Sequence, residues 1–195
     1  MVESARENLI SAVCQLILER GYGGTSVGAI CDRASVSKGS FFHHFQSKQD
    51  AACSSLDHWM TAVQERARQS GFADQPDPRE RLMTYLDFMA ALPDSGGAPH
   101  GCLLGALALE LSETHPDVRD KASGYFQVWS DGVSRLIGDA MPDRDDTFVS
   151  SLANHFIASL EGAILLAKAR RDPSLIPQCV NHFRGYVESL MQPAV

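Results

Sequence analysis

The sequence predicts an all-α fold, and three observations carry that reading. Apolar residues recur at spacings of three and four along most of the chain, the period of a helix with one buried face. Serine and aspartate stand repeatedly just ahead of such stripes, where helices need a side-chain acceptor for their first free N–H groups. No segment alternates apolar and polar residues as a half-buried strand would.

The elements follow in order. Ser4 and Glu7 form an S-x-x-E capping pair that opens a first helix, with Leu9, Val13, Leu16 and Ile17 as its stripe and Gly21 as its stop. A GYGG turn follows. Thr25 or Ser26 caps a second helix, which buries Val27, Ile30, Cys31 and Ala34. Ser35 and Val36 make a turn, and Ser37 caps a short third helix whose inward residues are Phe41 and Phe45. Ser47 and Asp50 repeat the capping pattern and open a long fourth helix reaching Ser70.

The stretch GFADQPDP is a breaker. Beyond it, helices are expected from Arg79 to Leu92, from Leu103 to Ser112, from Pro116 or Asp117 to Ala140, and from Thr147 to Arg171. The segment PDSGGAPHG reads as a flexible loop and MPDRDD as a break. Val180, Phe183, Val187, Leu190 and Met191 form a last stripe.

Composition narrows the function classes. The chain of 195 residues is 44% hydrophobic, as a soluble globular protein is. No apolar run reaches the roughly 18 residues of a membrane helix, and the start lacks a secretory pattern, so a cytoplasmic location is expected. Five dispersed cysteines without a CxxC pair point to reduced thiols. No nucleophile elbow, phosphate loop or metal-ligand spacing appears, so no enzyme activity, cofactor or metal is expected. Glu110 and Glu113 read as surface charge.

The net charge of −7 divides unevenly: residues 1–48 hold five basic and four acidic groups, the remainder twelve basic and twenty acidic. A slightly positive head on an acidic body suits a protein that docks one end on a polyanion. Two short helices joined by a tight turn place a rod where a major groove can take it. The third helix displays Lys38, Gly39, Ser40, His43 and His44. Lys38 suits a phosphate or guanine, Gly39 admits close backbone approach, and Ser37 and Ser40 offer hydroxyls. Thr25, Ser26 and Lys48 stand at helix starts, where phosphates are favoured.

The stretch GYGGTSVGAICDRASVSKGSFFHHFQSKQDA resembles the DNA-binding domain of TetR-type (tetracycline-repressor-like) transcriptional regulators. Gly21, Thr25, Ile30, Ala34, Val36, Gly39, Phe45 and Lys48 carry the resemblance, which covers about residues 5–55. It implies an all-α homodimer with a helix-turn-helix DNA-binding head at 1–48 and a ligand-binding and dimerisation body at 49–195. By it, Ser37, Lys38, Gly39, Ser40 and His43 contact operator DNA, a near-palindromic duplex, while Thr25 and Lys48 hold phosphates. Phe42 departs from the tyrosine common in the family, leaving ring contacts with the sugar but no hydroxyl for a phosphate.

Pairing is expected through Phe156, Ser159, Leu160, Ala163 and Leu166 against Phe183, Val187, Leu190 and Met191. Trp59, Phe88, Cys102, Phe126 and Trp129 are the candidates to line a small-molecule pocket. Cys102, at a helix start, is either a reactive sensor thiol or a packing group. The reading is a ligand-responsive regulator, more often a repressor in such families. The alternatives are a helical ligand carrier without DNA binding, and an enzyme.

Overall fold

A computed structural model describes residues 4–91 and 101–192. Within them the chain forms α1 (Ala5–Arg20), α2 (Val27–Ala34), α3 (Lys38–His44), α4 (Lys48–Gln69), α5 (Pro78–Ala91), α6 (Leu103–Leu111), α7 (Pro116–Ala140), α8 (Asp146–Arg170) and α9 (Leu175–Leu190), with a short 3-10 turn at Phe72–Asp74. No strand occurs among the described residues. The expected loop PDSGGAPHG lies, except for Gly101, outside them.

The helix starts follow the side-chain caps. Ser4 Oγ accepts from the Glu7 N–H at 3.2 Å while Glu7 Oε2 accepts from the Ser4 N–H at 2.8 Å, a complete capping box. Ser26 Oγ accepts from Ala29 N–H, and Ser37 Oγ from Ser40 N–H, each at 3.1 Å. At α4, Ser47 Oγ accepts from Asp50 N–H and Asp50 Oδ2 from Gln46 N–H. α8 starts at Asp146, one residue ahead of the expected start, with Asp145 as its cap. Phe45 stands in extended backbone just past α3, not within it.

The chain divides into two compact units, residues 1–63 with 101–126, and 64–100 with 127–195, so that α4 and α7 each contribute to both. In the first, α1 is the central element. Leu9, Leu16, Ile17, Ile30, Phe41, Ala51, Leu56, Leu103 and Leu107 are buried together around it. α2 and α3 are joined by Ser35, whose left-handed backbone (φ 55°, ψ 42°) lets Val36 N–H donate back to Cys31 O at 3.0 Å. Arg33 on α2 donates from two nitrogens to the Glu19 carboxylate on α1, both at 2.9 Å. The head helices therefore form a braced unit.

In the second unit, α9 lies against both α5 and α8. Tyr85, Leu86, Leu152, Phe156, Leu160, Val180, Phe183 and Val187 are buried there. The Trp129 indole donates to the Tyr85 hydroxyl at 2.8 Å, and burial pushes the Tyr85 phenol well up. Arg184 on α9 donates to the Met83 carbonyl and to Asp87 on α5. By length and composition α8 is apolar enough to cross a membrane, with only 39% of its apolar window buried within the chain. A helix that is apolar on more than its core face has more than one surface to cover.

Candidate nucleic-acid interface

The third helix is held by its inner side and open on its outer one. Phe41 is fully buried, and its ring meets Phe45 at 5.5 Å and Phe42 edge-on at 5.2 Å. Outside stand Ser37, Lys38, Gly39, Phe42 and His43, all exposed, with Ser40 half-buried beside them. Phe42 is 59% exposed. A Cβ built on Gly39 would meet only Ser37 Oγ, at 3.6 Å. Nothing among the described residues requires glycine there.

Two residues expected to hold phosphates also bond within the protein. Thr25 is buried, and its hydroxyl donates to the Gly21 carbonyl at 2.7 Å. Lys48 is half-buried; its ammonium donates to the Tyr22 carbonyl at 2.9 Å and the Thr25 carbonyl at 3.0 Å, and lies 3.9 Å from the Tyr22 ring centre. Burial pushes the Lys48 ammonium below its ordinary range, and the nearby Glu110 charge draws it partly back. Both side chains brace the α1–α2 turn from within. Ser26, by contrast, is exposed at the α2 start.

The same turn holds a residue that sequence reasoning took for surface charge. Glu110 on α6 accepts from the Tyr22 N–H at 2.7 Å and the Gly23 N–H at 2.6 Å. The GYGG run is shaped around it: Gly21 has φ +79°, and a Cβ on it would stand 2.9 Å from a Glu110 carboxylate oxygen. Gly24 is required separately, since its Cβ would lie 2.4 Å from the Arg20 carbonyl. The only signal available in the sequence was the density of glycines in that turn.

The candidate ligand residues separate by unit. Trp59, Cys102 and Phe126 lie partly buried against the core of the first unit, and Cys102 is the N-cap residue of α6 without a side-chain cap bond. Phe88 and Trp129 belong to the second unit, where Phe88 stacks on Phe72 at 6.3 Å and Trp129 is tied to Tyr85.

The residues expected to pair take two kinds of position in the single chain. Phe156, Leu160, Ala163, Phe183 and Val187 are buried within the single chain, where α8 meets α9. The periodic stripe found an intrachain seam. Leu166, at 45% exposed, does face outward, and Leu165 and Tyr186 join it; Ser159, Leu190 and Met191 are half-buried. A 300 Å³ depression bounded by Phe148, Ser151, Leu152, His155 and Tyr186 opens on the α8–α9 face.

Residues 9–50 match the family model of bacterial regulatory proteins of the tetR family, and residues 78–183 match that of the tetracyclin repressor-like C-terminal domain. The chain is 32% identical to the HTH-type transcriptional repressor DhaR of Mycobacterium sp., over 89% of this chain and 87% of that one. It is 29% identical to the transcriptional regulator AcuR of Cereibacter sphaeroides, over 87% of this chain and 78% of that one. Among solved structures it resembles the regulatory protein TetR from Rhodobacter sphaeroides, with TM-score 0.79, 27% identity and coverage of 95% and 97%. A TetR transcriptional regulator from Chloroflexus aurantiacus superposes with TM-score 0.82 at 25% identity, covering 94% of each chain.

Proposed function

The chain belongs to the TetR family of bacterial regulatory proteins, and from that premise we propose that it is a cytoplasmic repressor released from its operator by a small molecule. The observation that carries the DNA-binding role is the outer face of α3. It presents Ser37, Lys38, Gly39, Ser40, Phe42 and His43, and its glycine has no internal cause. In this reading Lys38 meets phosphate or guanine, Gly39 lets the backbone approach, and the Phe42 ring lies against sugar. Ser26 adds a phosphate contact at the start of α2. Thr25 and Lys48 act from inside, holding the turn that aims α2 and α3.

One short helix reads few base pairs. A homodimer presents two copies about 34–36 Å apart and reads a near-palindromic duplex. The outward sides of α8, with Leu165 and Leu166, and of α9, with Tyr186, are the surface we assign to that pairing. Residues 1–48 form the DNA-binding head in functional terms, and 49–195 the body. The effector is assigned to Trp59, Cys102 and Phe126, whose partly buried apolar groups can hold a small apolar molecule. It must bind the DNA-incompetent form more tightly, since only differential affinity shifts the equilibrium.

Selection of duplexes from a random pool by the purified full chain tests this. The expected result is a near-palindromic consensus, with Lys38→Ala binding it more weakly and with a salt slope reduced by about one. Failure to enrich any duplex would remove the reading.

A further inference from the structure

The Tyr22 residue is gripped at both backbone polar atoms by opposite charges from two helices. Glu110 on α6 takes its N–H together with that of Gly23, and Lys48 at the head of α4 takes its carbonyl together with that of Thr25. The ring of Tyr22 is held too, below the Lys48 ammonium and edge-on to His115 at 5.3 Å. Thr25 and Ser26 follow after two glycines, and Ser26 caps α2. The position of this one turn therefore sets where α2, and through the Ser35 turn α3, begins.

The partners come from different parts of the family pattern. The turn lies in the stretch matched by the N-terminal family model, Glu110 in the stretch matched by the C-terminal one. Within the first compact unit, Glu110 is thus a hydrogen-bonded handle of the C-terminal stretch on the DNA-binding stretch. It is also solvent-exposed. An exposed carboxylate can let go of two N–H groups without leaving a buried unpaired charge, which a fully buried one could not.

We propose that Glu110 is a positioning residue for DNA binding: its carboxylate ties the α1–α2 turn to α6, so that the position of α6 sets the aim of the recognition helix. The proposal rests on the DNA-binding reading and adds the route by which a change around α6, where Cys102 lies, reaches α3. The sign of the effect separates it from simple electrostatics. Removing a negative charge from a slightly basic head tightens binding to a polyanion if only the field matters. Loosening the turn weakens it.

The experiment uses a duplex selected from a random pool by the wild-type chain. Its affinity is measured for wild type, Glu110→Gln and Glu113→Gln, the last a charge control on an exposed glutamate. Glu110→Gln keeps the volume but not the paired acceptor, and is expected to bind about tenfold more weakly, while Glu113→Gln binds as well as wild type or better. Amide exchange gives a readout that a merely structural role would not move. Tyr22 and Gly23 should gain protection when the duplex is added to wild type, and should not in Glu110→Gln, because coupling between two sites is reciprocal.

Equal or tighter binding by Glu110→Gln overturns the proposal and leaves the DNA-binding reading intact. Selection that enriches no duplex overturns both. If Glu110→Gln does not fold, the wild type decides: exchange at Tyr22 and Gly23 that ignores the duplex overturns the proposal, and duplex-dependent protection there supports it.

Discussion

The ammonium of Lys48 stands 3.9 Å from the centre of the Tyr22 ring while donating to the carbonyl of the same residue at 2.9 Å. A second donation reaches the Thr25 carbonyl at 3.0 Å. A lysine committed in this way has little left for a phosphate, although its place at the head of a helix suggests one. Lys48→Met keeps the aliphatic stem and removes the charge and both hydrogen bonds. Stability should fall by about 1.5–3 kcal/mol, the range for bonds to a charged donor. Duplex affinity should fall with an unchanged salt slope. A slope smaller by about one would instead make Lys48 a phosphate contact.

Gly39→Ala separates binding from folding. Its Cβ meets only Ser37 Oγ at 3.6 Å, so the free protein accepts it. Replacing glycine within a helix should stabilise the fold by roughly 0.5–1 kcal/mol. The same methyl stands on the face proposed to meet DNA, and should weaken the duplex complex. Thermal melts and anisotropy titrations on one preparation check both. A raised melting temperature with unaltered affinity would show that α3 does not approach DNA through this position.

Local chemistry made most of the fold legible, and distance hid much of the site. Ser4 with Glu7, Ser26, Ser37 and Ser47 with Asp50 each announce a helix start because cap and capped N–H lie within three residues. The grip of Glu110 on Tyr22 spans 88 positions, and nothing near either residue encodes it. The internal bonds of Thr25 and Lys48 are hidden for the same reason: their partners are backbone carbonyls, which every sequence offers. The stripe of Phe156, Leu160, Phe183 and Val187 is a different case. Periodicity finds a buried face but not whether the cover comes from the same chain, and here α8 and α9 cover each other.

The tie between α4 and α7 carries a pH dependence. Asp57 accepts from the Tyr125 hydroxyl at 2.5 Å and from Lys121 at 2.7 Å. Burial, and then the Asp57 hydrogen bond and charge, push Tyr125 from its ordinary 10.0 up to about 12. Below pH 10 the phenol is protonated whether the chain is folded or not. Between about 10 and 12 the folded chain keeps a proton that the unfolded chain releases, so stability falls as pH rises through that window. Tyr125→Phe should give a shallower decline there, though not a flat one, since burial also raises Tyr22 and Tyr85. Denaturant unfolding in small pH steps measures it. Identical slopes for both proteins would show that Tyr125 is not the titrating group.

Leu166 distinguishes pairing from packing. It is 45% exposed on α8, beside Leu165 at 58%, with Tyr186 on α9 at 47%. In a lone chain Leu166→Arg changes stability by no more than about 0.5 kcal/mol, as surface substitutions do. In a dimer formed through this side it buries an unpaired charge on each subunit, and the complex should dissociate at micromolar concentration. Phe183→Ala is the contrast: Phe183 is 4% exposed and packs on Phe156 at 4.8 Å, so its loss should cost roughly 3–5 kcal/mol of folding stability. Sedimentation of wild type should give twice the 21.2 kDa chain mass, and of Leu166→Arg the single mass. In the proposed paired reading of the duplex, affinity should fall with the dimer. A Leu166→Arg protein that stays dimeric and binds normally would move the pairing surface off this side of α8.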